Sequence, residues 1–481
     1  MKRSKIYTAL EYLSVYELNS FYKFVNSPYF NQNERILKYF NYLLPFLKGK
    51  KRGDISKYDI WDKIEPGTRY DDDKFRKYTS DLLRLFERFL AQQIYEQNNL
   101  NIANNLLENI SKKKILKLYN SVLSTAERLS KRHIDRNSDY YYYQYGFEKN
   151  KFNLTSEFEK KSKKKKKFNW LNIAEMGENL DVFYIAEKLK LYSTLLSWKR
   201  VYKLDIELNF IEEIIGFVDR IEYENYPPIA IWYQIYLTTF DNENIDHYYK
   251  LKILIDRYIS SFPKEEAQDI YESALNYCIR KANTGHFEFY HELLTLYQDL
   301  LQNDMLIEDN HISPTRFRNI VFVATKVEDF EWAEQFIDKF KNKLDEIYRE
   351  SAVAYNLARL YFFKEDFYKV IEYLRDVEFD DVVYELGSKN MLIKTYYELE
   401  EITPLFSLLD SFNVFLNRQK RTIPDNRRKN YKLLIKYVKK LLNSSYMDKI
   451  GLKKIKNEIE QAGNFPDKRW VLEKFEEMVK R

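Results

Sequence analysis

A histidine followed by a glutamate, His291-Glu292, is the feature of this sequence closest to an enzymatic motif. It begins a string similar to the HExxH motif of metalloproteases, in which two histidines on one helix face bind zinc and the glutamate is the general base. Thr295 stands where the second histidine must be, so the zinc site cannot form. We expect the remaining histidines to be surface or packing residues: His133, His247, His286 and His311.

Other catalytic patterns are also missing from the sequence. Cys278 lies in an apolar helical context and is interpreted as a buried small hydrophobic residue rather than a nucleophile. No two glycines form G-x-G, and no glycine-rich loop ends in Gly-Lys, so a phosphate-binding loop is not evident. Acid pairs such as Glu265-Glu266 are expected at this acidic content. We therefore predict no catalytic residue, metal site or cofactor, and a protein that is not an enzyme.

Positive charge is concentrated in two regions. Lys160, Lys161 and Lys163 to Lys167 place seven lysines in eight positions. The stretch from Arg418 to Lys456 holds 14 Lys and Arg against two Asp, a net charge of +12. Because the whole chain has 79 Lys and Arg against 73 Asp and Glu, a net charge of +6, the rest of the chain sums to −6. The charge is therefore polarised along the sequence.

Within the second region, residues 426 to 442 have the spacing of an amphipathic helix. Its apolar face holds Leu434, Tyr437, Val438 and Leu441. Its basic face could meet phosphates or an anionic membrane surface, or it could be the solvated side of a helix that caps a repeat array. We favour the cap, because runs of charge usually serve solubility, and we interpret the lysines at 160–167 as a loop for the same reason. The candidate anion-binding or partner-binding residues are Lys429, Lys432, Lys436, Lys439 and Lys440.

A tyrosine run, Tyr140 to Tyr143, followed by Tyr145 and Phe147, could stack nucleic-acid bases beside the nearby lysines. On a helix these rings spread around the whole circumference. Such a helix is usually buried between two layers, and we favour that interpretation.

Composition indicates a folded, almost entirely α-helical protein. Of 481 residues, 45% are hydrophobic and 32% charged, which is too apolar for general disorder. Only 10 Gly and 10 Pro occur, and the 42 Tyr and 33 Phe recur mostly at three- and four-residue spacing rather than in alternation. This length exceeds what one compact core usually serves, so several domains or one repeat array are expected.

The sequence also bounds the compartment. A single cysteine excludes internal disulfides and favours the reducing cytoplasm. Glu11 interrupts the apolar stretch within Met1 to Leu13, so no signal peptide is expected. The longest uncharged run, Asn225 to Phe240, is shorter and more polar than a membrane span, so we expect a soluble protein.

The first hundred residues show clear helix start signals. Ser14 and Glu17 form a capping box, Asn31 followed by Glu34 predicts a second start, and Asp71 to Asp73 precede a long apolar pattern. The string LSVYELNSFYKFVNSPYFNQNERILKYF, from Leu13 to Phe40, resembles the opening of a family of uncharacterised helical proteins from Bacteroidota bacteria. The resemblance covers about thirty residues and implies no function.

From about residue 100 to 310 the pattern is one of successive helices joined by short polar segments, as in stacked antiparallel hairpins. Pro227-Pro228, Pro263 and Gly285 are predicted to mark turns. The predicted helices cover residues 115–129, 140–158, 170–202, 210–221, 229–239, 248–262, 265–282 and 287–301.

After His311 the sequence repeats. Residues 327–340, 364–377 and 399–412 share an acidic residue, an aromatic or aliphatic one, and apolar residues three and four apart, and each string follows a more apolar helix. The equivalent residues Phe330, Phe367 and Ile402 lie 37 and 35 residues apart. This pattern resembles tetratricopeptide repeats, whose period is about 34 residues. Because most units lack the glycine, second alanine and closing proline of that family, we describe them as TPR-like.

We therefore predict an all-α protein, a TPR-like α-solenoid of stacked antiparallel hairpins. The predicted parts are an N-terminal helical unit (1–100), irregular hairpins (101–310), TPR-like repeats (311–415) and basic capping helices (416–481). The predicted function is a non-enzymatic scaffold that binds a protein or peptide partner in the concave surface of the array. The alternative is a nucleic-acid-binding protein that uses the lysine-rich regions near 160–167 and 418–456.

Overall fold

The computed structural model describes residues 2, 4–161, 171–308, 310–375, 381–444 and 449–480. In these residues it contains 23 α-helices and no β-strand; the one β-type contact is an isolated bridge between Glu308 and His311. The prediction of an all-α fold is confirmed. Among the described helices, none combines the length and the apolarity that crossing a membrane requires.

The chain forms two compact units. Unit 1 comprises Met1–Leu191 and Leu208–Ala230, and unit 2 comprises Tyr192–Glu207 and Ile231–Arg481. The four parts predicted from the sequence stay a prediction.

Unit 1 begins with five helices that share one aromatic core. They are α1 (Lys5–Glu11), α2 (Val15–Asn26), α3 (Glu34–Leu47), α4 (Lys57–Ile64) and α5 (Asp72–Gln97). The Phe21 ring of α2 is fully buried, with its centroid 4.9 Å from that of Phe40 and 5.6 Å from that of Phe86. Edge-to-face packing of this kind joins α2, α3 and α5.

The predicted caps of these helices are largely observed. The Ser14 N–H donates to Glu17 Oε2 at 2.8 Å and the Glu17 N–H donates to Ser14 Oγ at 3.2 Å, which completes the capping box. Asp71 caps α5 as expected. The prediction of Asn31 as the cap of α3 is wrong: Asn33 caps that helix, while Asn31 Oδ1 accepts the Asn33 N–H at 3.0 Å in a local turn.

Six further helices follow, and five of them have 14 residues or more. They are α6 (Asn99–Lys113), α7 (Leu116–Arg132), α8 (Ser138–Lys161), α9 (Leu171–Tyr202), α10 (Ile211–Val218) and α11 (Pro227–Phe240), and the unit boundary falls within α9 and α11. Pro227 and Pro228 form the first turn of α11 rather than a separate turn, since proline needs no N–H partner there. The expected burial is observed for Phe147, but no tyrosine of the run is fully buried, and Tyr142 is 50% exposed.

Unit 2 continues with twelve helices in the described residues. They are α12 (Asp246–Tyr258), α13 (Lys264–Asn283), α14 (Phe289–Gln302), α15 (Pro314–Lys326), α16 (Phe330–Phe340), α17 (Glu346–Phe363), α18 (Phe367–Leu374), α19 (Val382–Glu398), α20 (Ile402–Arg418), α21 (Asp425–Asn443), α22 (Lys449–Gln461) and α23 (Lys468–Lys480). Each of the three strings singled out after His311 corresponds to a helix, α16, α18 and α20, preceded by a second helix.

The turns that join these helix pairs share one backbone conformation. Glu328, Glu365 and Glu400 have positive φ angles of 63°, 59° and 56°. In each turn the N–H of the next residue donates to the carbonyl five residues earlier: Asp329 to Ala324 at 3.0 Å, Asp366 to Tyr361 at 3.0 Å and Glu401 to Tyr396 at 2.9 Å. This bond satisfies a carbonyl at the helix C-terminus, and the following residue then opens the next helix.

Helices of this region contact both the next helix and the next but one. Helix α15 contacts α16 and α17, and α17 contacts α18 and α19. At the end of the unit, α20 and α21 share a core in which Leu409 and Phe412 face Leu434 and Val438, all fully buried. The α15–α17 and α17–α19 contacts show that the first helices of successive pairs lie side by side.

Candidate functional site

A groove on unit 2 collects positive charge from several helices. It encloses about 600 Å³ and is lined by residues of α14, α15, α17, α19 and α21, together with the residue that precedes α23. Its charged lining residues are Arg318, Lys326, Arg359, Lys394, Arg427 and Asp467. Its aromatic lining residues are Tyr290, Phe322, Tyr355, Phe362, Phe363 and Tyr431. We call this site the basic groove.

Helical periodicity places these side chains together. Arg318, Phe322 and Lys326 are spaced four residues apart on α15, and Tyr355 and Arg359 are likewise four apart on α17. Residues three and four apart share one face of a helix. Because α15, α17 and α19 are neighbours, their three faces form one continuous wall.

Positive charge in the basic groove is poorly balanced. Five cationic side chains face one carboxylate, a net charge of +4 among the lining residues. That carboxylate, Asp467, is held by Lys394, whose Nζ lies 2.9 Å from Asp467 Oδ1. The other four cations make no ion pair within the described part of the chain: Arg318, Lys326, Arg359 and Arg427.

Aromatic rings hold several of these cations in place. The Arg359 guanidinium lies 4.8 Å from the Tyr355 centroid and 5.1 Å from that of Phe322. Lys326 Nζ lies 4.9 Å from the Phe363 centroid, and Lys394 Nζ lies 4.8 Å from that of Phe362. Contacts of cations with ring faces are attractive but do not neutralise the charge. Arg359 and Lys326 are therefore positioned by aromatic rings without a counter-ion, whereas Lys394 also pairs with Asp467.

The pKa directions of two groups reflect this imbalance. Removal from water lowers the pKa of Arg359 below its ordinary value, and the charge of Arg318 lowers it further, whereas Tyr355 acts in the opposite direction. Partial removal from water also lowers the pKa of Lys326, and the charges of Lys394 and Arg359 add to that effect, while Asp467 opposes it. In both cases reduced solvation and a neighbouring positive charge act in the same direction.

A glycine makes the arrangement of Tyr355 and Arg359 possible. A Cβ atom at Gly387 of α19 would lie 2.4 Å from the Tyr355 hydroxyl oxygen, which is too close for any side chain. With glycine there, the Tyr355 ring fits against α19, and its hydroxyl accepts a 2.6 Å hydrogen bond from Arg359 Nη2. Gly387 is therefore a positioning residue for the groove.

The groove also contains a hydrogen-bond acceptor without a partner. The Asn390 amide nitrogen donates to Asp467 Oδ2, but its buried Oδ1 has no partner within the described residues. A buried carbonyl left unpaired is costly, since it has lost its hydrogen bonds to water. The site thus offers several cations and one acceptor.

The lysines singled out from the sequence lie elsewhere, on α21, and several have partners. Lys436 Nζ and Lys440 Nζ lie 2.9 Å and 2.5 Å from the two carboxylate oxygens of Glu458, and Lys439 Nζ lies 2.5 Å from Asp410 Oδ1. Lys432 Nζ donates to Asn417 Oδ1 at 2.8 Å. These contacts tie α21 to α20 and α22. Lys429 is exposed, and none of the five lines the basic groove.

Two further predictions concern the lysine block at 160–167 and the apolar face of α21. The prediction of a loop for the lysine block is wrong at Lys160 and Lys161, which form the end of α8, and residues 163–167 lie outside the described part of the chain. The apolar face predicted for α21 is confirmed, because Leu434, Tyr437, Val438 and Leu441 are all buried.

Cys278 is fully buried in α13, as its apolar context predicted. Burial raises the pKa of its thiol to about 12, so the thiol stays protonated at neutral pH. Beside it, the Tyr248 hydroxyl donates to Glu292 Oε2 at 2.9 Å, and Lys252 Nζ lies 2.6 Å from the same oxygen. Glu292 of the HExxH-like string thus takes part in a packed polar network.

A second hollow lies within unit 1 between α9, α10 and the start of α11. It encloses about 460 Å³, and its rim includes Glu178, Asp181 and Glu222. Two of these acids have partners: the Tyr226 hydroxyl donates to Glu178 at 2.5 Å, and the Asn225 amide donates to Glu222 at 3.1 Å. The basic groove, whose charges are less balanced, is the stronger candidate site.

Four cations of the groove were missed at the sequence level, namely Arg318, Lys326, Arg359 and Lys394. A usable signal was present on two of these helices, where basic and aromatic residues alternate every four positions: Arg318, Phe322 and Lys326 on α15, and Tyr355, Arg359 and Phe363 on α17. This spacing is less conspicuous than a run of consecutive lysines, because residues on one face of a helix are separated in the sequence by residues of its other faces. Arg427 alone belongs to a region already singled out.

No protein-family model matches the chain, and no curated protein matches its sequence.

Proposed function

We propose that this chain is a non-enzymatic scaffold, a TPR-like α-solenoid that binds a segment of a protein partner in the basic groove. The main support for the proposal is the composition of the groove. It contains four cations without an ion pair in the described residues and a buried acceptor, Asn390 Oδ1, without a donor. Groups of this kind reduce the stability of the folded chain, and a ligand that supplies their partners would offset that loss.

The helix pairs after His311 support the repeat part of the proposal. Three turns share one hydrogen-bond pattern, and their left-handed residues lie 37 and 35 residues apart, the same spacing as the sequence repeat. The first helices of these pairs, α15, α17 and α19, supply most of the lining of the groove. In helical-repeat arrays, stacking the units creates extended binding surfaces. The single, buried cysteine fits a reducing compartment such as the bacterial cytoplasm.

The test is affinity purification of the full-length protein from an extract of the cells that produce it. The groove variant carries Lys326→Glu and Arg427→Glu, two changes at exposed side chains, so the fold should survive. The control carries Arg421→Glu and Lys453→Glu, which are equally exposed, lie in the same unit, change the net charge equally and do not line the groove.

We expect the wild type and the control variant to retain the same partner protein and the groove variant to lose it. Loss of the partner from both variants would show that net charge, and not the groove, governs the interaction. Retention by both variants would overturn the proposal.

Nucleic-acid binding is the second candidate, and one observation favours it: Arg427, within the basic stretch from 418 to 456, lines the groove. If this candidate is correct, a retarded nucleic-acid band should weaken steeply with added salt and in the groove variant, which reverses the charge of Arg427. No retarded band at low salt would eliminate it.

A further inference from the structure

The charges of the basic groove specify the chemistry of its occupant, provided that the groove is the partner site proposed above. A net charge of +4 among the lining residues calls for several negative charges. One chain-terminal carboxylate supplies a single negative charge. A segment with several acidic or phosphorylated side chains supplies enough.

The positions of the cations favour charges distributed along a segment. Arg318 and Lys326 lie eight residues apart on α15, about 12 Å along the helix axis. Arg359 lies on α17 and Lys394 on α19, so the positive charges extend across neighbouring helices. A compact anion such as inorganic phosphate would meet only part of this surface.

The remaining groups favour a peptide over a nucleic acid. Asn390 Oδ1 needs a donor, and a peptide backbone presents one N–H at every residue other than proline, whereas the sugar-phosphate backbone of DNA presents none. Bases stack on aromatic faces, yet Phe322, Tyr355 and Phe362 already carry the cationic groups of Arg359 and Lys394. Fewer ring faces are therefore free for bases than the aromatic content suggests.

We infer that the basic groove binds an internal segment of a protein partner carrying several anionic side chains, with a backbone N–H of that segment donating to Asn390 Oδ1. The anionic groups pair with Arg318, Lys326, Arg359 and Arg427. Lys394 stays paired with Asp467 and holds the Asn390 amide in place through that carboxylate.

Fluorescence anisotropy with labelled synthetic peptides tests this inference on the full-length protein. The probe alternates Glu and Ala and ends in an amide, so that it has no terminal carboxylate. The matched peptide has Gln in place of every Glu, and a third peptide has phosphoserine there. A single-stranded oligonucleotide of equal charge completes the set.

We expect the Glu peptide to bind and the Gln peptide not to bind. The groove variant, Lys326→Glu with Arg427→Glu, should raise the Kd by about tenfold or more, whereas the control variant should change it less than about twofold. Asn390→Ala removes the side-chain acceptor and should raise the Kd by about threefold to tenfold. Asn390→Asp is less suitable, because it would place a second negative charge beside Asp467. Tighter binding of the phosphoserine peptide, again dependent on the groove, would assign the anionic groups to phosphate.

Three results would overturn the inference. They are no binding of either anionic peptide, equal loss of binding in the control variant, or groove-dependent binding of the oligonucleotide in preference to the peptides. If the cellular partner still requires the groove while the anionic peptides fail to bind, the scaffold function stands and only the anionic segment is excluded. If the partner is also retained by the groove variant, both proposals fail.

Discussion

Arg359 illustrates how a single residue distinguishes a binding site from a structural contact. Its guanidinium lies between two rings and bonds the Tyr355 hydroxyl, but it makes no ion pair within the described residues. Removal from water lowers its pKa, so the folded state carries a charge that its surroundings do not compensate. Natural proteins keep such unfavourable groups mainly where function needs them.

Replacing Arg359 with Met keeps the aliphatic length and removes the charge. We expect the free energy of unfolding, measured in urea, to stay unchanged or rise by about 1 kcal/mol, because an unpaired charge leaves a poorly solvated site. Binding to the partner or to the Glu peptide should weaken at the same time. A clear loss of stability with unchanged binding would instead make Arg359 a structural residue.

Gly387 lets the Tyr355 ring lie against α19, so it tests the geometry of the groove. In Gly387→Ala the new methyl group would meet the Tyr355 ring and hydroxyl, and we expect a loss of about 1–3 kcal/mol in unfolding free energy together with weaker binding. The matched control is Gly216→Ala in α10, where nothing lies within 4 Å of the added atom. There the same change should stabilise the helix by about 0.5–1 kcal/mol. Equal effects at the two glycines would contradict the packing described for Tyr355.

Glu458 provides a pH test of the α21–α22 contact. Hydrogen bonds from Lys440 and Lys436 lower the pKa of Glu458 from 4.5 to about 2. Because the folded-state pKa is lowered, the contact stabilises the fold above pH 4.5, and this contribution disappears as the pH falls toward 2. The side chain is 40% exposed, so the contribution should be below about 1 kcal/mol.

The measurement compares urea unfolding of the wild type and Glu458→Gln at several pH values. We expect the variant to be less stable at neutral pH and equally stable near pH 2. Glu350→Gln, a change at an exposed glutamate without an ion pair in the described chain, serves as the control. A difference between wild type and Glu458→Gln that does not vary with pH would exclude this origin.

At the scale of elements, much of the fold follows from local signals in the sequence. Capping residues located the starts of α2 and α5, and the repeated strings located the starts of α16, α18 and α20 within a few residues, because those signals act within one or two turns. Short helices such as α4, with eight residues, span too few turns for the spacing of apolar residues to reveal a helical period. The start of α3 was misplaced because Asn31 and Asn33 are both competent caps, and the choice between them depends on the bond that Asn31 makes to the Val25 carbonyl.

The shared turn of the helix pairs makes a prediction about glycine. Glu365 adopts a left-handed conformation with φ of 59°, which glycine adopts without steric cost. We expect Glu365→Gly to raise the unfolding free energy by up to about 1 kcal/mol. In Glu350→Gly, an exposed position inside α17, the identical substitution should lower it by about 1 kcal/mol. Thermal unfolding measures both changes in unfolding free energy. Changes of opposite sign would support the left-handed conformation of Glu365, and a loss of stability in both variants would contradict it.

At the scale of the whole molecule, the candidate site could not be predicted from the sequence. The groove joins residues as distant as Tyr290 and Asp467, which meet only through the packing of successive helices. The sequence pattern pointed instead to the lysines of α21, because they lie in a stretch rich in basic residues. Several of these lysines contact side chains of α20 and α22. The helical periodicity could be seen in the sequence because it is a local property.

The proposed function requires that the basic groove is the surface that contacts a partner. Site-specific photo-crosslinking in living cells tests this directly, with benzoylphenylalanine introduced in place of Val383, an exposed uncharged residue of the groove lining. The comparison position is Tyr368 on α18, which is 75% exposed and does not line the groove. We predict a discrete crosslinked product from position 383 that is absent at position 368 and that disappears in the Lys326→Glu, Arg427→Glu background. No product from position 383, or the same products from both positions, would contradict the account.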